Sequence, residues 1–379
     1  MRIFKNLNVD WLGKRKTFYT VSLIIFLAGV LSILFRGMQF GIDFKGGSEI
    51  VFQFDKPIDI TKMRDAMSKT ELGNVEVKTF GAETGVLVRT ELQSIPAEVR
   101  PKVTANVNAA VKDAVKGGNY KLVRDSANAA VYSFDSTVSA SDVVDYLIAR
   151  GYQASRMEEE NNSSLVIVSI GIADWIKETI KANNKDNNFV VLREDRVGPK
   201  IGEELKLQAL LAVVISLLGI LIYLSFRFKW IFAVGAVIAL FHDVLITVGL
   251  YSILYGVIPG LNLEVDLTVI AAFLTLVGYS INDTVIVFDR VRETIKVHKS
   301  GKLTDLMNEA INKTMSRTIL TGGTTLLAVF ILLLFGGEVL RAFSFTLFFG
   351  IIIGTYSSIF VASALVLDYA ARSKKKIEF

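Results

Sequence analysis

Six stretches of this chain are apolar for long enough to cross a bilayer, and a long segment between the first two alternates like a water-soluble domain. A spanning helix needs about 17–25 apolar residues. The runs Thr17–Phe35, Leu205–Phe226, Trp230–Leu254, Leu267–Arg290, Ser316–Leu334 and Phe343–Leu367 meet that length. The expected class is therefore an α-helical membrane protein, a six-span bundle with a large α+β extracytoplasmic domain between spans one and two.

Residues 36–204 show the shorter periods of strands and amphipathic helices. A first unit reads as strand 49–54, helix 60–69, strand 75–80, strand 86–91, helix 96–115 and strand 120–125. A second reads as strand 130–135, helix 139–150, strand 152–158, strand 165–170, helix 172–182 and strand 189–195. Both have the βαββαβ order of a ferredoxin-like fold. Phe54-Asp55 and Phe134-Asp135, at similar places in the two units, suggest duplication over 49–125 and 130–196. One larger α/β domain is the alternative.

Composition agrees with the membrane reading: 51% of residues are hydrophobic, and the mean hydropathy is +0.45. With no cysteine, disulfides, thiolate metal sites and cysteine nucleophiles are excluded. The net charge of +5 need not mean nucleic acid. Residues 36–204 hold 22 Lys/Arg against 25 Asp/Glu, a net of −3, so the remainder holds +8. That excess flanks the apolar runs: Arg2, Lys5 and Lys14–Lys16 before the first, Arg227 and Lys229, then Arg292, Lys296, Lys299, Lys302 and Lys313, and finally Arg372 and Lys374–Lys376. Positive charge gathers on the cytoplasmic side of membrane proteins. Both termini (1–16 and the basic tail 372–379) are accordingly expected in the cytoplasm, with 36–204 outside, the bundle spanning 205–371, and anionic lipid rather than nucleic acid facing the basic loops. A basic start before one apolar run also describes a signal peptide, but Arg36, Gly37 and Met38 follow it rather than a small-x-small site, so an uncleaved anchor is expected.

Polar residues inside the apolar runs mark the candidate chemistry. Span four is interrupted by Asn282, Asp283 and Thr284, and span three holds His242 and Asp243. An ionised carboxylate at membrane depth costs roughly 2.5–3.5 kcal/mol on insertion scales, so Asp283 wants a partner or a wet path, unless it is merely interfacial. Arg317 opens span five, and Thr318, Thr321, Thr324 and Thr325 continue a polar side of that helix, a pattern that most often packs helices together. Asp283 lies about 9 Å of helix rise from the inner end of its span, a depth comparable to that of Arg317. If spans four and five are neighbours the two can pair. Arginine stays charged, so it can favour the ionised form of Asp283 and be released when the acid is neutralised. After span one, GIDFKGGSEI (41–50) sets Gly41, Gly46 and Gly47 around Asp43 and Phe44. It lacks the Gly-Lys-Ser/Thr ending of a phosphate loop and reads as an exit turn at the membrane surface.

These motifs, together with RVGPKIGEEL, FHDVLI, GYSINDTVIVFDRVRE and MSRTILTGGTT, resemble the SecD/SecF family of protein-export membrane subunits, its SecF members in particular. The resemblance covers the ends of the outer domain and the whole bundle. It implies the resistance-nodulation-division superfamily, work beside the SecYEG channel with SecD, and YajC and YidC as further candidate neighbours. It also implies use of the proton gradient to complete translocation, outer domains that hold the emerging unfolded polypeptide, and proton-pathway roles for Asp283 and Arg317, with a further carboxylate on SecD. The outer loop looks longer than the single ferredoxin-like unit usual there.

No cofactor, metal site or catalytic constellation is expected, so the reading is a non-enzymatic export subunit. The first rival, a stand-alone proton-coupled exporter, wants a second six-span half and a second large outer domain. A membrane hydrolase or sensor wants a nucleophile with its base, or a signalling domain. Neither pattern is found in the sequence.

Overall fold

The computed structural model describes residues 7–70, 72–126, 128–150, 152–157, 164–184, 186–258, 261–298 and 301–373. The strand end at Glu158, the loop lysine Lys299 and the basic tail at Lys374–Lys376 lie outside the described residues. In chain order come α1 (Arg15–Arg36), a short α2 (Ile42–Lys45), β1 (Gly47–Phe54), α3 (Ile60–Ser68), β2 (Val75–Phe80), β3 (Ala82–Thr90), α4 (Arg100–Val115), β4 (Tyr120–Ser126), β5 (Ala129–Phe134), α5 (Ala140–Ala149), β6 (Gln153–Met157), β7 (Ser164–Ser169), α6 (Ile172–Asn183) and β8 (Phe189–Val197). The remaining helices are α7 (Pro199–Arg227), α8 (Trp230–Leu254), α9 (Leu267–Val297), α10 (Leu303–Phe335) and α11 (Gly337–Ser357), which passes through a π-helical turn, Ser358–Ser363, into α12 (Ala364–Ser373). The chain divides into two compact units, 1–43 with 204–379, and 44–203.

In the first unit, six helical segments among the described residues are long and apolar enough to cross a membrane. The polar inner connection expected over 291–315 is mostly helix, because α9 runs on to Val297 and α10 starts at Leu303. Arg292, Glu293, Lys296, Glu309 and Lys313 favour helix and tolerate water, so the helices outlast the apolar stretch. Packing is closest where side chains vanish. A Cβ added to Gly29 of α1 would lie 2.9 Å from the Gly249 Cα of α8, and the converse distance is the same.

In the second unit the strands and helices follow the expected order, but the pairing corrects the two consecutive units. One sheet runs β2-β3-β1-β8 and the other β4-β5-β7-β6. Each has the antiparallel order of a ferredoxin-like unit, yet the closing strand of each comes from the other repeat. β4 pairs with β5, and β8 pairs with β1. The helices follow: α6 packs on α3, and α4 on α5. One hydrophobic core runs through both halves, from Ile50, Phe52 and Val88 to Tyr132, Val166 and Ile176, so 44–203 is a single interlocked domain.

Two local features hold β8 to β1. Glu49, 2% exposed, accepts from Arg89 Nε of β3 at 2.9 Å and is also bonded by Arg193 of β8. Gly46, with φ +74°, lies against Pro199 at the head of α7, so the strand entering the domain and the strand leaving it are neighbours.

Asp174, at the start of α6, accepts from the Gly171 N–H at 2.9 Å, with Lys177 3.5 Å from its other oxygen. Burial pushes its carboxyl above the ordinary 3.8, against the opposing pull of Lys177 and the Gly171 N–H. The folded domain thus binds this proton more tightly than the unfolded chain does. The resulting stabilisation is present in acid and lost as pH rises above the ordinary aspartate value. Asp174→Asn is expected to flatten that component, so that the denaturant midpoint at pH 7 moves toward its value at pH 4. Proteolysis of the detergent-solubilised chain across a denaturant series measures it.

Candidate functional site

Helix α9 starts on Asp266, whose Oδ1 accepts from the Val269 N–H at 2.8 Å. Aspartate there satisfies an orphan donor and suits the helix dipole. From that start, Leu276, Ser280, Asp283 and Val287 fall on one buried face. Helix α11 meets this face through glycines. An added Cβ on Gly350 would lie 2.5 Å from Leu276 Cδ2, and one on Gly354 would lie 2.9 Å from Ser280 Cβ and 3.5 Å from Asp243 Oδ2. Just beyond, the helix widens into the π-helical turn, a form found mostly as single turns and often at functional sites.

Asp243 of α8 is 1% exposed and fully engaged. Ser280 and Ser357 donate to its Oδ2 at 2.7 and 2.8 Å, and its Oδ1 lies 3.0 Å from His242 Nδ1. The contacts continue from His242 Nε2 to Ser22 Oγ (3.1 Å), from Ser22 Oγ to the Tyr356 hydroxyl (2.8 Å), and from that hydroxyl to the Phe18 carbonyl (2.7 Å). The carbonyl can only accept, which commits the tyrosine proton to it. Ser22 therefore donates to Tyr356, and the ring N–H at Nε2 donates to Ser22. The last contact, Nδ1 to Oδ1, then closes with one further proton between them. With every bond made, the His242–Asp243 pair is net neutral: imidazolium against carboxylate, or imidazole against carboxylic acid. The chain of bonds ties α1, α8, α9 and α11 together.

Asp283 is also 1% exposed but far less engaged. Its side-chain contact is a long one, 3.4 Å from the Thr355 hydroxyl. The expected partner is not on it. Helices α9 and α10 are neighbours, but Arg317 lies exposed on α10 and forms no ion pair with Asp283 within 4.0 Å. Asn282 is exposed, and Thr284 is buried with its hydroxyl 3.3 Å from the Ser280 carbonyl of its own helix. The threonine side of α10 is mostly self-satisfied: Thr321, Thr324 and Thr325 donate to carbonyls of their own helix at 2.9–3.0 Å. Thr325 also accepts from Tyr279 at 3.4 Å, whereas the buried Thr318 hydroxyl has no hydrogen-bond partner.

The exit motif reaches α9 from the other end. The Gly41 N–H donates to the Val265 carbonyl, and the Val265 N–H to the Gln39 carbonyl, both at 2.8 Å. Asp43 Oδ2 accepts from the Leu267 N–H at 2.9 Å. Phe44 is buried, and Gly46 and Gly47 take φ +74° and +115° to enter β1. A Cβ on Gly47 would fall 2.3 Å from the Thr90 carbonyl.

Two family models match the chain: the C-terminal region of protein export membrane proteins SecD/SecF over residues 176–372, and the SecD/SecF GG motif over 31–58. A protein translocase subunit SecF from Rhodothermus marinus is 38% identical over 373 residues, 98% of this chain and 97% of that protein. The chain belongs to the SecF family. Its Koribacter versatilis relative is 37% identical, covering 97% of this chain and 93% of that one. The crystal structure of SecDF, a translocon-associated membrane protein from Thermus thermophilus, superposes with a TM-score of 0.69 at 28% identity. It covers 97% of this chain, which spans 39% of that longer one. The SecF of R. marinus aligns nearly end to end, so the second half of the domain at 44–203 is shared with it rather than peculiar to this chain.

In this SecF chain the residues that the sequence did not single out are Ser22, Ser280, Thr355, Tyr356 and Ser357. A signal for four of them existed: Ser280 lies in GYS, and 354–358 read Gly-Thr-Tyr-Ser-Ser within an otherwise apolar run. Among the described residues no group of three or more His, Cys, Asp or Glu has a metal-binding arrangement.

Proposed function

We propose that the chain is an accessory subunit of the bacterial Sec translocase that uses the proton gradient, together with SecD, to promote late translocation of unfolded polypeptide across the inner membrane, with Asp283 as its proton-exchange group. The observation that carries this is the asymmetry between the two buried carboxylates. Asp243 is closed in by three hydrogen bonds, while Asp283 holds one long bond and no ion pair. A group that must take up and release a proton needs to be held this loosely, whereas the His242–Asp243 pair serves as the anchor that keeps α9 and α11 in register.

Family membership and the likeness to a SecDF chain support SecD as the partner. So does the surface of α9 and α10. Ala271, Thr275, Gly278 and Asn282 are exposed along α9, and Arg317, Thr321 and Thr324 along α10. Small and hydroxyl residues let membrane helices approach closely, and an exposed guanidinium at that depth wants an anion. A SecD carboxylate fits both. The charge distribution supports an orientation with the termini in the cytoplasm and residues 44–203 in the periplasm, and family membership supports SecYEG alongside.

The test is gradient-driven export into membrane vesicles by chains carrying Asp283→Asn, with and without a protonophore. Arg317→Lys is expected to lower gradient-driven export several-fold, since a point charge replaces a planar fork. Wild-type rates in the same assay show that charge alone suffices.

A further inference from the structure

The exit motif is the one conspicuous sequence feature that the proton site leaves unused. We infer that Asp43 is a positioning residue: it passes displacement of α9 into the outer domain. The inference rests on Asp283 being the exchange group, because α9 is the helix that carries it. Two carboxylates sit at the head of α9. Asp266 belongs to the helix's own leader and bonds to Val269 N and the Thr268 hydroxyl, at 2.8 and 2.6 Å. Asp43 belongs to a different segment and bonds to Leu267 N, the first residue of the helix.

That segment is fixed to the same leader by its backbone. Phe40 and Val265 form a parallel bridge, with the bonds from Gly41 and to Gln39 on either side. Gly41 permits the approach, since a Cβ there would lie 3.0 Å from Asp266 Cβ. On the other side of Asp43 the chain has only Phe44, Lys45 and Gly46 before β1 begins at Gly47. β1 is a central strand of its sheet, bonded to β3 and β8.

An α-helix is stiff along its axis, at 1.5 Å per residue. A shift of α9 at Asp283 therefore appears at Leu267, where the Asp43 carboxylate is held, three residues from a central strand. With that bond lost, the linker can slacken and absorb the shift.

Gradient-driven export by the full chain with SecD in vesicles tests this. Asp43→Ala is expected to lower gradient-driven export about five-fold, the factor carried by loss of the one hydrogen bond that links the exit segment to the helix, while protonophore-insensitive export and co-purification with SecD stay unchanged. Asp43→Asn keeps an oxygen for the Leu267 N–H and is expected to match wild type. Asp266→Ala, which uncaps the same helix without touching the link, is expected to stay within about two-fold of wild type. Wild-type coupling in Asp43→Ala overturns the proposal, as does an equal loss in Asp266→Ala, which reduces Asp43 to a helix cap. Should Asp43→Ala not accumulate, Asp43→Glu replaces it: the charge is kept, the acceptor is displaced by a methylene, and undiminished coupling overturns the inference. Asp283→Asn runs beside these variants. Full export in it removes the exchange-site reading, a result separable from any of the Asp43 outcomes.

Discussion

Asp283→Asn is expected to accumulate, to co-purify with its partner, and to show no gradient-driven export. The substitution is nearly isosteric, and its amide oxygen still accepts from the Thr355 hydroxyl, the one side-chain bond that Asp283 makes. What it removes is the ability to alternate between charged and neutral. An ionised carboxylate at that depth carries a cost of roughly 2.5–3.5 kcal/mol, and proton uptake relieves it. The same proton falling through about 100 mV supplies about 2.3 kcal/mol, a bias of roughly 40-fold between two states of the bundle. Asparagine fixes the site as neutral, and the whole of that bias is lost. Export measured with and without a protonophore reads it directly: the mutant's two rates should coincide near the wild type's protonophore-treated rate. A protonophore-sensitive rate equal to wild type removes Asp283 from the mechanism.

The spans were legible because hydropathy reports contact with lipid. Trp230–Leu254 is the clearest case, its predicted and observed ends coinciding. At the end of α9 and the start of α10 hydropathy stops too soon, since residues such as Glu293 and Lys296 leave the apolar stretch without leaving the helix. In the outer domain, alternation located the strands but could not say which sheet β4 and β8 close. Both repeats supply a helix and strand of the same shape. The deciding contacts are long-range: Glu49 with Arg193, and Gly46 with Pro199.

The same division holds in the site. Asp283, Asp243 and His242 stand out in an apolar run, whereas Ser22 looks like the many hydroxyls that bond only their own helix, as Thr321 and Thr324 do here. Depth along a helix is also legible from sequence, but rotation about it is not. Arg317 and Asp283 were expected at comparable depth, yet one faces outward and the other is buried.

Asp243→Leu is expected to be the most damaging single change in the bundle, and comparing it with Asp243→Asn separates anchoring from proton exchange. Leucine leaves the Ser280 hydroxyl and His242 Nδ1 without a partner in a buried place, while the Ser357 hydroxyl falls back on the Gly354 carbonyl at 3.1 Å. Each such loss costs about 1–3 kcal/mol, against a total stability of about 5–15 kcal/mol, so the chain should fail to accumulate in membranes. Asparagine repeats the neutral arrangement that the hydrogen bonds require. Its carbonyl accepts from both serines, and its N–H donates to His242 Nδ1 while the ring N–H at Nε2 still donates to Ser22. This variant should accumulate and melt like wild type and, unlike Asp283→Asn, keep its protonophore-sensitive export. If it accumulates but loses that sensitivity, the His242–Asp243 pair exchanges protons as well, and the gradient acts on α8 as directly as on α9.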